Sequence, residues 1–343
     1  MELRTLGKTT MKVSSLCLGT MTWGEQNSEQ EAFAQLDRAT DYGVNFIDTA
    51  ELYPSPPKAD TYTRTETIIG HWLKQRGHHN DLVIASKVAG PGISYMDGGR
   101  LLNRTHIEGA VEASLKRLGV ESIDLYQLHW PDRNTNCFGR LGYVHESGAD
   151  GTPIEETLDT LDDLIKEGKI QHYGLSNETP WGTMKHLSLS ETLNKPRPVS
   201  IQNPYNLLNR TFEVGLAEIA HREQIGLLAY SPLAFGTLSG KYLNNQWPKK
   251  GRLTLYKRFS RYSSPQSIKA IESYVQIAKE AGLDVAQMAL AFVTSRSFTT
   301  SSIIGATTIE QLESNLASSE ITLSEDVLSA IEAVHTRYTN PAP

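Results

Sequence analysis

Short apolar runs alternate along this chain with longer segments whose apolar residues recur at helical spacing. VSSLCLG at 13–19, VNFIDTA at 44–50, DLVIASK at 81–87 and DLYQLHW at 124–130 read as strands. IQHYGLSN at 170–177, SIQNPYN at 200–206, GLLAYSPL at 226–233 and SSIIGAT at 301–307 complete a set of eight. Helical periodicity occupies 29–42, 64–76, 104–118, 154–168, 181–192, 210–223, 264–281, 284–295, 308–318 and 323–336. The strands are mostly apolar without strict alternation, as expected where both faces of a parallel sheet are covered. Eight strands, each followed by helix, predict an α/β fold of the (β/α)8 TIM-barrel type. The competing open doubly wound sheet often carries G-x-G-x-x-G after an early strand. None is present, and GPG at 90–92 lacks the third glycine and the following helix. No composition break suggests a linker, so residues 1–343 are expected to form one domain.

Three connections are long: 88–103, 131–153 and 234–263. All three follow strands, which in a barrel gathers them on the C-terminal face. Irregular surface decoration is one reading of them. Their shared face favours the rim of an active site.

Four polar residues close or follow apolar runs: Asp48 and Tyr53 in FIDTAELY, Lys87 in LVIASK, and His129 in DLYQLHW. Singly, each has an ordinary role as a cap, a surface cation, a satisfied buried imidazole or a packing aromatic. Together, the ends of the second, third and fourth strands lie side by side in a barrel, within reach of one ligand. A phenol near an ammonium becomes a better acid, because the cation favours the phenolate. A carboxylate beside that ammonium keeps it charged, and an imidazole can hydrogen-bond a carbonyl oxygen. The set therefore fits polarisation and protonation of a C=O group, or the reverse removal of a hydroxyl proton. No G-x-S-x-G elbow or H-E-x-x-H helix supplies an alternative attacker. A metal-dependent hydrolase using Asp48 and His129 is disfavoured, because a neighbouring lysine opposes a cation. An imported hydride donor fits better, and that points to a nicotinamide cofactor.

Later strand ends carry suitable cofactor contacts. Ser176, Asn177 and Gln202 can hydrogen-bond a carboxamide, and Tyr230 can stack on the nicotinamide ring or serve as a core aromatic. In LAYSPLAFGTLSGKY, Ser231 is a further cofactor contact, and Pro232 and Leu233 begin a loop whose backbone around Gly236, Thr237 and Leu238 can meet phosphate oxygens, with Lys241 adding charge. Gly305 and Thr307 precede a helix whose N-terminus can bind an anion or be simply capped. Arg252, Lys257, Arg258 and Arg261 cluster around LYKRFSRY, and Arg258 is taken as the contact to an adenosine 2'-phosphate.

Bulk composition narrows the classes. A net charge of -6 with a pI near 6.0 gives no support to nucleic-acid binding. No apolar run approaches the roughly 18 residues of a membrane span. The N-terminal stretch lacks a continuous signal-peptide core, and two cysteines, Cys17 and Cys137, suggest no disulfide framework. A reducing, cytoplasmic setting is expected. The N-x-S/T matches at Asn103, Asn177 and Asn209 are then chance matches.

In GVNFIDTAELY, DLVIASK, SIDLYQLHWP, YGLSN, SIQNPYN, LLAYSPLAFGTLSGKY and IIGATTIEQLESN, taken in order, the chain resembles the aldo-keto reductase family. The likeness covers essentially residues 1–340. It is similar in particular to long-loop bacterial members and, in core motifs, to potassium-channel beta subunits. The resemblance implies an N-terminal β-hairpin, about residues 2–14, over the bottom of the barrel. It implies reduction of an aldehyde or ketone with NADPH, or oxidation of the alcohol with NADP+. Tyr53 would be the general acid, Lys87 and Asp48 would tune it, and His129 would orient the carbonyl. Trp23 and Trp130 would line the substrate side. The family often has a basic residue in the last cofactor helix; here Gln311 stands there, while Asn315 is retained. The channel-subunit-like branch uses cations of the seventh-strand loop instead, which Lys241 and Arg258 resemble. A monomer is the family default. A second function implied by the channel-subunit likeness is a cofactor-sensing regulatory or interaction protein with weak reductase activity.

Overall fold

The computed structural model describes residues 1–96 and 101–343; the middle of the expected 88–103 rim loop, residues 97–100, lies outside the described residues. Ten strands and eleven α-helices are assigned among the described residues. β1 (Leu3–Thr5) and β2 (Lys12–Ser14) form an antiparallel hairpin with Leu3 opposite Ser14. The expected first strand, 13–19, is therefore divided: Val13 and Ser14 belong to the hairpin, and β3 is Leu16–Gly19. Thereafter strand and helix alternate: α1 (Glu29–Asp41), β4 (Phe46–Asp48), α2 (Arg64–Arg76), β5 (Val83–Val88), α3 (Arg104–Leu118), β6 (Ile123–Leu128), α4 (Ile154–Lys166) and β7 (Ile170–Ser176). α5 (Pro180–Thr192), β8 (Ser200–Pro204), α6 (Phe212–Glu223) and β9 (Gly226–Tyr230) follow. α7 (Arg252–Leu255) is a single turn within the long seventh-strand loop. α8 (Pro265–Glu280), α9 (Val285–Thr294), β10 (Thr299–Ile304), α10 (Ile309–Ala317) and α11 (Glu325–Arg337) close the chain.

The eight strands β10-β3-β4-β5-β6-β7-β8-β9 form a closed, all-parallel barrel, as the alternation predicts. Closure removes both sheet edges, so every strand can be short and apolar. The helices obey local rules. Ser28 and Glu31 form a reciprocal capping box at the start of α1, with bonds of 3.2 and 2.8 Å. α4 buries Leu158, Leu161 and Leu164, a stripe at helical spacing. α9 buries every residue from Met288 to Thr294, matching its nearly uninterrupted apolar sequence.

Inside the barrel, period-two alternation sets the layers. At the bottom, Leu6 and Val13 of the hairpin pack with Cys17, Phe46, Val83, Ala85, Leu125 and Leu228. Gly7, at φ 56, allows this plug to seat: a Cβ there would lie 2.6 Å from the Val199 carbonyl oxygen. Two residues further along the same inward faces, Phe46 gives way to Asp48, Ala85 to Lys87, Leu125 to Gln127 and Leu228 to Tyr230. The interior therefore turns from apolar to polar on approaching the C-terminal face. Cys17 and Cys137 are both free. Among the described residues, no helix is long and apolar enough to cross a membrane.

Candidate active site

The Lys87 side chain is fully buried, and burial of a charge is tolerable only with partners. Its Nζ donates to Asp48 Oδ2 at 2.7 Å and to the Thr49 carbonyl at 2.7 Å. Asp48 Oδ1 accepts from Gln127 Nε2 at 3.1 Å and from Gln202 Nε2 at 2.8 Å. Gln202 Nε2 also donates to Gln127 Oε1 at 2.9 Å. Residues of three other strands thus satisfy the Asp48 carboxylate at the barrel centre. Lys87 lies within β5 rather than at its end, and His129 is the first residue after β6.

Tyr53, in the loop after β4, covers this network. The Lys87 ammonium is 5.0 Å from its ring centroid, and the His129 ring meets it edge-on at 5.7 Å and 79°. The four expected residues are brought together. Their electrostatics differ from expectation. Crowding by the barrel, then the Asp48 carboxylate, push the Tyr53 phenol well above its ordinary range, while the Arg252 guanidinium pulls it down. Burial and the Asp48 carboxylate together outweigh the pull of nearby positive charge on the phenol. The phenol is consequently a protonated donor across the neutral range.

His129 is buried, and its Nδ1 has no hydrogen-bond partner among the described residues. Burial, then the Lys87 charge, hold its pKa well below the usual imidazole value. His186, on the buried face of α5 outside the barrel, is also buried, and burial with the Arg133 charge lowers it to about 3. Both rings stay neutral in the native state, but in the unfolded chain they take up protons near pH 6.5. The native state is therefore favoured above that pH, and this contribution is lost as pH falls through it. Each histidine changes unfolding free energy by about 1.4 kcal/mol per pH unit below the unfolded value. Denaturant unfolding should show His129→Gln and His186→Gln each flattening the loss of stability between pH 6.5 and 5; an unchanged pH slope would contradict it.

The cofactor-side residues lie at the ends of β7, β8, β9 and β10, around the same opening. Asn177, at φ 52, donates from Nδ2 to the His129 carbonyl at 2.8 Å and to Ser176 Oγ at 3.2 Å. Its Oδ1 accepts from the Tyr230 hydroxyl at 2.6 Å. The Asn177 amide is therefore engaged at both ends, a tie between His129 and Tyr230 rather than an open contact. Gln202 keeps only its carbonyl oxygen available for a ligand. Asn315 Nδ2 donates to the Gly305 carbonyl at 3.1 Å, and Gln311 Oε1 accepts from the Thr307 backbone N–H and hydroxyl at 3.1 Å each. Gly305 itself faces open space.

Several expected contacts are corrected. Trp23 does not line the opening: it is fully buried in the core and donates from Nε1 to Gln35 of α1 at 3.1 Å. A tight turn bonded Trp23 N–H to Thr20 carbonyl folds the chain back under α1. Leu238 is also fully buried, and its N–H and that of Gly236 both donate to the Leu233 carbonyl, at 3.3 and 2.7 Å. Those two amides close the turn instead of remaining open to a phosphate. Arg258 is exposed, its guanidinium 5.7 Å from the Phe259 ring. Two cations of the cluster turn inward: Arg252, flanked by Phe235 and Phe259 at 5.6 and 5.5 Å, and Arg261, 5.9 Å from the Tyr262 ring. Trp130 does sit beside the site, 5.0 Å from the His129 ring and 5.7 Å from Phe138, with Nε1 on the Pro91 carbonyl at 3.1 Å.

Gln127 and Arg252 are the residues that sequence reasoning missed as site members. Gln127 had a signal: it lies two residues before His129 on the same inward face. Lys241 and Arg252 share a further property. Neither has a carboxylate partner among the described residues, and burial followed by the Arg252 charge lowers the Lys241 pKa. Burial likewise lowers Arg252. Two crowded cations with no counter-charge form a site suited to an anion.

The model of the Aldo/keto reductase family matches residues 15–336. Protein tas of Escherichia coli is 52% identical over 346 residues, covering all of both chains. The uncharacterized oxidoreductase YrpG of Bacillus subtilis is 33% identical, over 97% of this chain and 96% of its own. A probable voltage-gated potassium channel subunit beta of Arabidopsis thaliana is 31% identical, over 97% of this chain and 96% of its own. With its closed barrel, its hairpin and this match over nearly the whole length, the chain belongs to the aldo/keto reductase family of oxidoreductases.

Proposed function

We propose that this protein reduces an aldehyde or ketone to the alcohol with NADPH, and runs the reverse oxidation with NADP+. The observation that carries the reading is the Asp48–Lys87 pair beneath a protonated Tyr53, with neutral His129 at its edge. Bound NADPH supplies the hydride. Tyr53 gives its hydroxyl proton to the carbonyl oxygen as negative charge grows there. Loss of that proton leaves a phenolate over the Lys87 ammonium, which stabilises it in a poorly hydrated site. Asp48 holds the ammonium in position, and Gln127 and Gln202 hold Asp48. A neutral imidazole carries one N–H, so His129 can donate to the same carbonyl oxygen and orient it without competing as an acid. Trp130 and Phe138 offer an aromatic wall for the substrate.

The residues present fit the cofactor. The unpaired charges of Lys241 and Arg252 suit its phosphate groups, and this pair takes the role first expected of Lys241 with Arg258. The Gln202 carbonyl and Ser176 suit its carboxamide, Tyr230 its ring, and the open ground at Gly305 before α10 its adenosine end. The cationic pair favours NADPH over NADH. The test is cofactor consumption across a panel of aldehydes and ketones, with both nucleotides and their dissociation constants measured in parallel. Carbonyl-dependent NADPH oxidation, with tighter binding of NADPH, is expected. Equal or tighter NADH binding would refute the nucleotide preference. Negligible turnover on every carbonyl, with a stable co-purifying protein, would transfer the argument to a cofactor-sensing regulatory role.

A further inference from the structure

A cavity of about 330 Å³ opens at the opposite end of the molecule from the candidate active site. It lies where the hairpin turn, the start of β7, the segment before β8 and the end of α4 converge, all at the N-terminal face of the barrel. Its apolar walls include Ile165, Tyr173 and Val199, and its polar groups include Lys8, His172 and Arg197. The volume falls at the low end of the roughly 300–1,000 Å³ typical of small-ligand pockets, and apolar walls with a few convergent polar groups are their usual lining.

The charged lining residues are Lys8 and Arg197, while burial lowers the His172 pKa and leaves its ring neutral near pH 7. No aspartate or glutamate lines the cavity. Lys8 has no carboxylate partner among the described residues, and half-buried His172 has no hydrogen-bond partner among them. Arg197 is held at one nitrogen only: Nη2 donates to the Glu223 carbonyl at 3.0 Å and to its Oε2 at 2.9 Å. Its Nη1 and Nε retain donors for another acceptor. The cavity is also preformed. Gly7 seats the hairpin against Val199, and the Val199 N–H donates to the Tyr173 carbonyl at 2.9 Å, so two walls are fixed by backbone contacts. An apolar cleft with free donors on Lys8 and on Arg197, whose counter-anion Glu223 engages only Nη2, favours a ligand whose acceptor end is negative and whose body is apolar.

We infer that this cavity is a second small-molecule site, separate from the reductase centre, that takes a monocarboxylate with a compact apolar or aromatic body. Benzoate is the probe, and uncharged benzamide its control. Both are titrated into the full-length protein saturated with NADP+, reading the His172 ring resonance by NMR and affinity by calorimetry. Benzoate is expected to shift the His172 resonance saturably and to bind at least tenfold more tightly than benzamide. Lys8→Glu reverses an exposed charge, and Ile165→Trp fills the cleft from the partly exposed face of α4. Each should weaken benzoate at least tenfold while leaving cofactor binding unchanged. An unshifted His172, equal binding of benzamide, or undiminished binding in both variants would overturn the inference. Shifts confined to the Tyr53 and His129 resonances would overturn it too, by assigning benzoate to the reductase centre. None of these outcomes bears on carbonyl reduction, which stands or falls on turnover alone.

Discussion

Tyr53→Phe is expected to lower kcat for carbonyl reduction by about 10²–10⁴-fold, the range associated with loss of a positioned general acid. The fold should survive the change. Among the described residues the Tyr53 hydroxyl makes no side-chain hydrogen bond, so its removal strands no partner there. The ring's contacts with Lys87 and His129 are retained in phenylalanine. NADPH affinity should stay within about twofold, because the hydroxyl acts on the developing alkoxide and not on the nucleotide; this is loss of an interaction made in the transition state. Steady-state kinetics together with a direct NADPH titration check it. Retention of most of the wild-type kcat would remove Tyr53 from the mechanism. Weaker NADPH binding with unchanged kcat would make it a binding residue.

Lys87→Met should destabilise the protein by about 3–5 kcal/mol, the range for removing one partner of a buried ion pair. The methionine fills a similar volume, so the expected loss is electrostatic. Asp48 Oδ2 would lose its ammonium at 2.7 Å, and the Thr49 carbonyl would lose its donor. Gln127 and Gln202 would still serve Oδ1 but bring no charge. A further readout separates this from generic damage. The double variant Lys87→Met/Asp48→Asn should regain stability relative to the single one, because no uncompensated charge remains. Activity should stay low in both, since the phenolate left after proton transfer has lost its cation. Additive losses in the double variant, or a deficit below about 1 kcal/mol, would show that the pair is not the buried electrostatic centre assigned here.

Legibility differed sharply between parts of the molecule. The strand order was readable because each buried parallel strand is a short apolar run between helices of distinct period, and only a closed barrel uses eight of them simply. Asp48, Lys87 and His129 stood out because a polar group terminating an apolar run is locally anomalous. Gln127 did not, since an amide inside a strand carries no such contrast until the alternation from Leu125 to His129 is followed inward. The hairpin's claim on Val13 was invisible because VSSLCLG reads as one run; Ser15, between the two strands, is where the chain changes partners.

The rim was least legible. The sequence displays a cluster of arginines, but it does not say which of them turn inward. The single turn of α7 does, by burying Leu253 and holding Arg252 beside Phe235 and Phe259 while Arg258 is left exposed. Trp23 failed for a related reason: following a strand predicts proximity to the opening, whereas the turn at Thr20 sends the indole into the core.

By itself, then, the sequence determined the periodicity, hence the barrel, and the chemical types that the ends of its strands present to one another. Those follow from local rules, alternation in strands and 3.6-residue repetition in helices, which act through neighbouring residues. Tertiary structure alone decided the electrostatic state of that chemistry. Whether burial outweighs the charges around Tyr53, and whether Asn177 is open or tied between His129 and Tyr230, depends on distances between residues far apart in the chain. Coulomb and desolvation energies vary with those distances and with excluded water, and neither is encoded in any local pattern.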